Sequence, residues 1–304
     1  MSRPTPIILG EVLFDCFPDG RRVLGGAPFN VAWHLRGLGA DPLFVSAIGD
    51  DVAGGEILER MRSHGLRTDG VQIRGDASTG RVDVLRAEHS PEYHFPETSA
   101  WDCVEGAEAA LPPEADMLYQ GSLFLRRETS RRSASALRKR FASRCFVDVN
   151  LRAPWYSEEL IRDLVQNAHC LKASEDELDL LLGWFHLPLE GSLEARLRAL
   201  LGTSGVHHAF ITRGAEGAVW ASADGSSCRM PAAPVTHFVD SVGAGDASAS
   251  IALLGLLQHW PAPVILERAM QFAARICEIP GAIPSNNQVY DEAFQEWNRL
   301  PSEE

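Results

Sequence analysis

Short apolar runs bounded by polar residues or glycine recur at residues 6–9, 43–47, 117–119, 145–149, 170–171 and 209–212, and each reads as a buried strand. Between them the spacing of apolar positions shifts to that of helices, predicted over 29–38, 55–64, 129–142, 157–168, 175–184, 193–202, 244–258 and 264–276. Strand alternating with helix implies an α/β fold, a doubly wound and mostly parallel sheet with helices on both faces. A further apolar run at 235–239 reads as a strand leading into the helix at 244–258.

Two stretches break this rhythm. Segments of about 11–24 and 71–98 alternate apolar and polar residues with turn formers between them, as a small accessory sheet would. In a doubly wound fold the ligand sits at the carboxyl ends of the strands, so such a sheet is placed to act as a lid over that mouth. A surface hairpin without that role gives the same spacing. The expected organisation is one α/β domain over residues 1–304 that carries this small β-sheet.

The 304 residues include 45% hydrophobic and 23% charged ones, enough for a sizeable core. A formal net charge of -13 argues against nucleic acid and against anionic membrane surfaces, both of which call for clustered basic residues. No apolar stretch approaches membrane-spanning length, and the start MSRPTPIILGEV lacks a secretory core, so a cytoplasmic protein is expected. Cys16, Cys103, Cys145, Cys170, Cys228 and Cys277 show neither Cys-x-x-Cys nor paired-histidine spacing, which predicts free thiols.

The run Asp240-Ser-Val-Gly-Ala-Gly-Asp246 leads into the helical segment AGDASASIALLGLLQ, whose first three residues it contains. Glycines there let backbone amides approach an oxyanion, and the helix start adds partial positive charge. Asp246, in the first turn, is placed either to cap the helix or to accept a proton from an attacking hydroxyl. The third glycine of a dinucleotide fingerprint would fall at Ser248, and no Gly-Lys-Ser or Gly-Lys-Thr follows, so neither nucleotide motif is present in this run.

This run resembles the Asp-Thr-x-Gly-Ala-Gly-Asp signature of the ribokinase-like (PfkB) carbohydrate kinases. Gly25-Gly-Ala-Pro-Phe-Asn30 with the following VAWHLRGLGADPLFVSAIGDDVAGG resembles that family's first signature, most nearly in its fructokinases. Asp148-Val-Asn-Leu-Arg152 with Trp155, Lys172-Ala-Ser-Glu-Asp-Glu-Leu178, Ile211-Thr-Arg-Gly-Ala-Glu-Gly217 and Gly281-Ala-Ile-Pro-Ser285 are similar to its later segments, in the same order.

The resemblance implies an enzyme that phosphorylates a sugar hydroxyl with ATP and Mg²⁺. It assigns Asp246 as the base and the amides of Gly243, Ala244 and Gly245 as the hole that steadies the moving phosphoryl. It places Asp15, Gly25, Gly26, Asn30 and Arg152 against the sugar. Lys172, Ser174, Glu177, Thr212, Arg213, Gly214 and Gly217 fall on the nucleotide side, with Glu177 holding Mg²⁺ through water. Asp240, Val242, Gly281 and Ser285 represent the family's K⁺ loop. Three positions depart from its pattern: Ser174 stands for Asn, Val242 for Thr, and Ser248 for Phe.

The sugar stays open. An acidic sugar such as 2-keto-3-deoxygluconate would call for Arg81, Arg86 and Arg152, a nucleoside for an aromatic wall from Phe14, Phe17, Tyr93 or Phe95, and ribose for neither. A sugar-binding pseudokinase is the reading outside the enzyme class. An uncovered edge or apolar face on the small sheet would favour a homodimer through that sheet.

Overall fold

In the computed structural model the structure is described for residues 3–86, 91–107, 111–112, 115–141 and 144–297. The predicted positions 87–90 and 142 lie outside these residues, as do the side chains of Arg86 and Glu92.

Strand β1 (Ile7–Leu9) leads into a small-sheet pair, β2 (Leu13–Cys16) and β3 (Arg22–Gly25), and helix α1 (Ala27–Gly37) follows. Then come β4 (Leu43–Gly49), α2 (Val52–His64), β5 (Val71–Arg74), β6 (Gly80–Arg86) and β7 (Pro91–His94). The middle of the chain supplies β8 (Leu118–Gly121), α3 (Glu128–Phe141), β9 (Cys145–Asp148), α4 (Glu158–Val165), β10 (Cys170–Ser174), α5 (Glu175–Trp184) and α6 (Leu193–Ser204). Strands β11 (His208–Thr212), β12 (Ala218–Ser222) and β13 (Ser227–Met230) precede α7 (Ala244–Leu257), α8 (Ala262–Ile276) and α9 (Gln288–Trp297).

The large sheet runs β13-β12-β11-β10-β9-β8-β1-β4-β5 and is parallel from β5 to β11. The last two strands turn antiparallel. Its strands are buried on both faces, so alternate residues feed two cores. Ile7, Leu9, Leu43 and Val45 face one core, and Ile8, Phe44, Tyr119 and Phe146 face the other. Helix α7 packs between α1 and α8 in the second core, with Ala247 through Gly255 buried, which is why its sequence is apolar on all sides. Local signals fix several ends: Asp51 caps α2 through the Gly54 amide at 2.8 Å, and Gly65 closes it in the left-handed conformation.

The small sheet runs β3-β2-β6-β7. Cross-strand pairing of Asp15 with Val23 and Val82, and of Val84 with Tyr93, puts these side chains on one face. Its second segment is narrower than the sequence implied, because Val71–Arg74 pairs with β4 at the edge of the large sheet. The predicted strand at 235–239 is corrected as well. Those residues form no strand, and Val235, Phe238 and Val239 are exposed at 37%, 68% and 50%. Val235 and Phe238 line the wall of a concavity instead of a sheet interior. Strands β12 and β13 and helix α9 lie outside the predicted elements. All six cysteines are free. Among the described residues no helix is long and apolar enough to cross a membrane.

Candidate active site

The site gathers at the carboxyl ends of β1, β9, β10 and β11, where α7 begins. Gly243 adopts φ 81°, and a Cβ there would come within 2.5 Å of Ala282, so this turn is built both for close packing and for the helix start. The Ala244 amide is committed to the Ser241 carbonyl at 3.2 Å. The amides of Gly245 and Asp246 lie in the first turn, where helix geometry supplies no acceptor. A Cβ on Gly245 would sit 3.4 Å from the Lys172 ammonium, which places that cation beside the turn.

Lys172 is itself buried and donates to both oxygens of Asp148, at 3.0 and 2.8 Å. The Tyr119 hydroxyl donates to the same carboxylate at 3.1 Å. Burial opposes the Lys172 charge, yet Asp148, Asp246 and Glu177 together hold its proton more tightly than usual.

On the sugar side the structure brings four predicted residues together. The Cβ position of Gly25 lies 3.7 Å from Asp15 Oδ2 and 3.9 Å from Asn30 Oδ1. Asn30 Nδ2 donates to Asp246 Oδ2 at 2.7 Å, and its Oδ1 is buried without a partner. Gly26 has φ 111°, and a Cβ on it would lie 2.6 Å from the Glu11 carbonyl oxygen, so only glycine fits there. Burial pushes the Asp15 and Asp246 carboxyls up to about 6, against the opposing charges of Arg152 at Asp15 and of Lys172 and Arg152 at Asp246. Arg152 is exposed, donates to its neighbour's carbonyl, Leu151 O, at 3.1 Å, and lines a cleft of about 520 Å³ with Tyr93, Phe95 and Trp155.

On the other side of α7 a second concavity of about 520 Å³ is lined by Thr212, Gly214, Gly217, Phe238, Gly245 and Ser248 among others. Gly217 is required by packing, since a Cβ would fall 2.0 Å from the Met230 carbonyl oxygen. Arg213 is not among the lining residues. It is paired with Glu175 at 2.9 Å and Glu216 at 2.6 Å. Ser248, where an aromatic was expected from the resemblance, donates to Gly245 O at 2.8 Å and leaves this concavity open.

Ser174 and Glu177 form a reciprocal cap on α5. The Glu177 carboxylate accepts from the Ser174 amide at 2.8 Å and from the Leu151 amide at 2.7 Å, tying the loop after β9 to the start of α5. Two ionised oxygens retain lone pairs beyond these bonds, so Glu177 fits the water shell of Mg²⁺. Asp240 accepts from Val242 N at 2.9 Å and Gly281 N at 3.2 Å, joining three of the four residues implied for K⁺. Ser285 lines separate concavities, one with Arg22 and His64 and one with Arg275 and Glu278.

The model for the pfkB family of carbohydrate kinases matches residues 17–288. The chain belongs to that family. As a member it is a kinase that phosphorylates a sugar. It is 32% identical over 280 residues to a fructokinase of Klebsiella pneumoniae, covering 83% of this chain and 84% of that one. Fructokinase-1 of Zea mays is 28% identical, covering 94% and 93%. Among solved structures, a fructokinase with bound ATP from Xylella fastidiosa superposes with a TM-score of 0.81 at 20% identity, covering 97% of this chain and 99% of that one. This likeness shows the ribokinase-like fold of this family kinase.

Three residues of the kinase site were not singled out from sequence. Asp148 stood inside a quoted motif, which was its signal. Tyr119 and Glu11 carried none, because their part depends on which distant groups they are buried beside.

Proposed function

We propose that this kinase is fructokinase-like and moves the terminal phosphoryl of ATP to a hydroxyl of a neutral sugar. The observation that carries the reading is the convergence of Asp15, Gly25, Asn30 and Asp246, with Asp246 Oδ2 held by Asn30 at 2.7 Å. Asp15 and Asn30 hold sugar hydroxyls, and the glycine pair lets the ring lie against backbone. Asp246 takes the hydroxyl proton as the sugar oxygen bonds to the γ-phosphorus and the bond to the ADP oxygen breaks. The first-turn amides of Gly245 and Asp246, the α7 dipole and Lys172 steady the negative charge that passes between them. Gly243 shapes the turn, and the Ala244 amide, spent on Ser241, supports it from behind.

The concavity lined by Thr212, Gly214, Gly217 and Ser248 takes the nucleotide. Glu177 would hold Mg²⁺ through water, and the ion would supply charge neutralisation on the phosphates. The bridge from Asp240 to Val242 and Gly281 supports a K⁺ loop at those residues; equal turnover in sodium and potassium buffers would remove that part. The small sheet, with Asp15, Val82, Val84 and Tyr93 on one face, serves as the lid of a single catalytic domain in the cytoplasm. Leu85, 43% exposed on β6, supports pairing of two such sheets in a homodimer, which a monomeric mass by light scattering would exclude.

Among the alternatives, an acidic sugar loses support because Arg81 is spent on Asp83 at 2.8 Å. The cleft of Tyr93, Phe95, Trp155 and Arg152 favours a second reading, a riboside whose base stacks there. A screen for ADP release over fructose, ribose, 2-keto-3-deoxygluconate and nucleosides decides between them. Asp246→Asn is the control and is expected to lose about 10²–10⁴-fold in turnover. Full turnover by that variant would sink the mechanism, and absence of turnover with every sugar despite retained binding would indicate a pseudokinase.

A further inference from the structure

Glu11 stands just beyond the carboxyl end of β1, directly behind the glycine pair of the sugar site, where its carbonyl oxygen excludes any side chain at Gly26. Its side chain is buried at 3% exposure, and Oε2 has no hydrogen-bond partner. Burial makes an ionised carboxylate costly there, a cost that the backbone amide of Glu11 offsets only in part because Oε2 has no donor.

Three charged groups face Glu11, each from a different element: Arg152 from the loop after β9, Asp246 from α7, and Arg126 from the turn after β8; the titratable Tyr119 hydroxyl on β8 faces both Glu11 and Asp246. Arg126 is committed through Nε and Nη2, and its Nη1 is buried without a hydrogen-bond partner. It donates to both oxygens of buried Asp102, at 2.8 and 2.6 Å, and its guanidinium lies over Trp101 at 4.1 Å and Trp155 at 4.7 Å. Arg152 is exposed and bonded to Leu151. Both cations act on Glu11 only through space, and the third neighbour carries the same sign of charge. Asp246 in turn is faced by Lys172 and Asp148 from the strands beneath it, by Arg152, and by Asn30 from α1.

We propose that Glu11 is a positioning residue that acts through Asp246: it keeps its proton while Asp246 ionises, so that the two carboxyls behind the sugar carry one negative charge between them. The proposal rests on reading Asp246 as the base. Asp246 accepts from Asn30 Nδ2 at 2.7 Å whereas Glu11 Oε2 has no donor, so Asp246 is the carboxyl that ionises first and its charge then holds the proton of Glu11; burial raises both, Glu11 to about 7 and Asp246 to about 6. Ionisation of Glu11 at higher pH sets a second negative charge beside the point where the transferring phosphoryl arrives. The acidic limb of the reaction belongs to Asp246 and the alkaline limb to Glu11.

Two measurements test this. In the pH profile of kcat/KM, the native enzyme is expected to rise through about pH 6 and fall beyond about pH 7. Glu11→Gln, which copies the neutral acid, keeps the rise and loses the fall. A profile for Glu11→Gln that superimposes on the native one overturns the proposal. The second measurement needs no turnover: carboxyl NMR titration of the ligand-free protein, native and Asp246→Asn. The Glu11 midpoint is expected to drop in Asp246→Asn, since the neighbouring charge is gone, and an unchanged midpoint overturns the coupling. If Asp246→Asn turns over sugar at the native rate, the assignment of the base fails, while the NMR shift still decides whether the two carboxyls share a charge.

Discussion

Asn30 donates its amide to Asp246 at 2.7 Å across a separation of 216 residues, joining the first turns of α1 and α7. This contact holds the carboxylate in a fixed direction and favours its ionised form, against the burial that raises it. Replacing Asn30 by Asp puts a like charge in place of the donor. The acidic limb of kcat/KM is expected to move up by about one pH unit, and the rate at pH 6 to fall about fivefold. A profile recorded from pH 5 to 9 checks both, and an unshifted limb would separate Asp246 from the rate.

Glu11 also has a consequence for stability. Its carboxyl is raised in the folded protein, so the stability it confers is present at low pH and is lost as pH rises through about 7. Glu11→Gln is therefore expected to raise unfolding stability at pH 8 by roughly 1–3 kcal/mol and to leave it nearly unchanged at pH 5. Denaturant unfolding at the two pH values measures the difference.

Lys172 and Asp148 form a buried pair, exposed at 7% and 0%. Lys172→Met leaves the Asp148 charge without its main compensation and is expected to destabilise by about 3–5 kcal/mol. Adding Asp148→Asn to it should recover most of that loss, because the uncompensated charge is gone. Thermal melts of the single and double variants decide, and a double variant no more stable than the single one would contradict the account.

At Gly26 a methyl group meets the Glu11 carbonyl oxygen in a backbone conformation that side chains avoid. Gly26→Ala is expected to cost about 1–3 kcal/mol and to raise KM for the sugar while KM for ATP stays close to native. Equal changes in both constants would place Gly26 outside the sugar site.

The alternation of apolar runs and helical segments made the parallel sheet legible, because buried strands and amphipathic helices write their periods directly into the sequence. Where that logic failed, at 235–239, an apolar run lines a concavity, and a local pattern cannot tell a pocket wall from a sheet interior. The pairing of Arg213 with Glu175 and Glu216 was not legible for a related reason: it is fixed by how α5 meets the turn after β11.

By itself the sequence determined the alternation of strands and helices that builds the sheet and the glycine turn before Asp246, which follow from residues a few positions apart. Only the tertiary structure decided that Asn30 holds Asp246, that Lys172 donates to Asp148, and that Glu11 Oε2 is buried without a partner behind Gly26. Those facts depend on contacts between distant segments and on loss of water around each charge, and neither is encoded in any short stretch of chain.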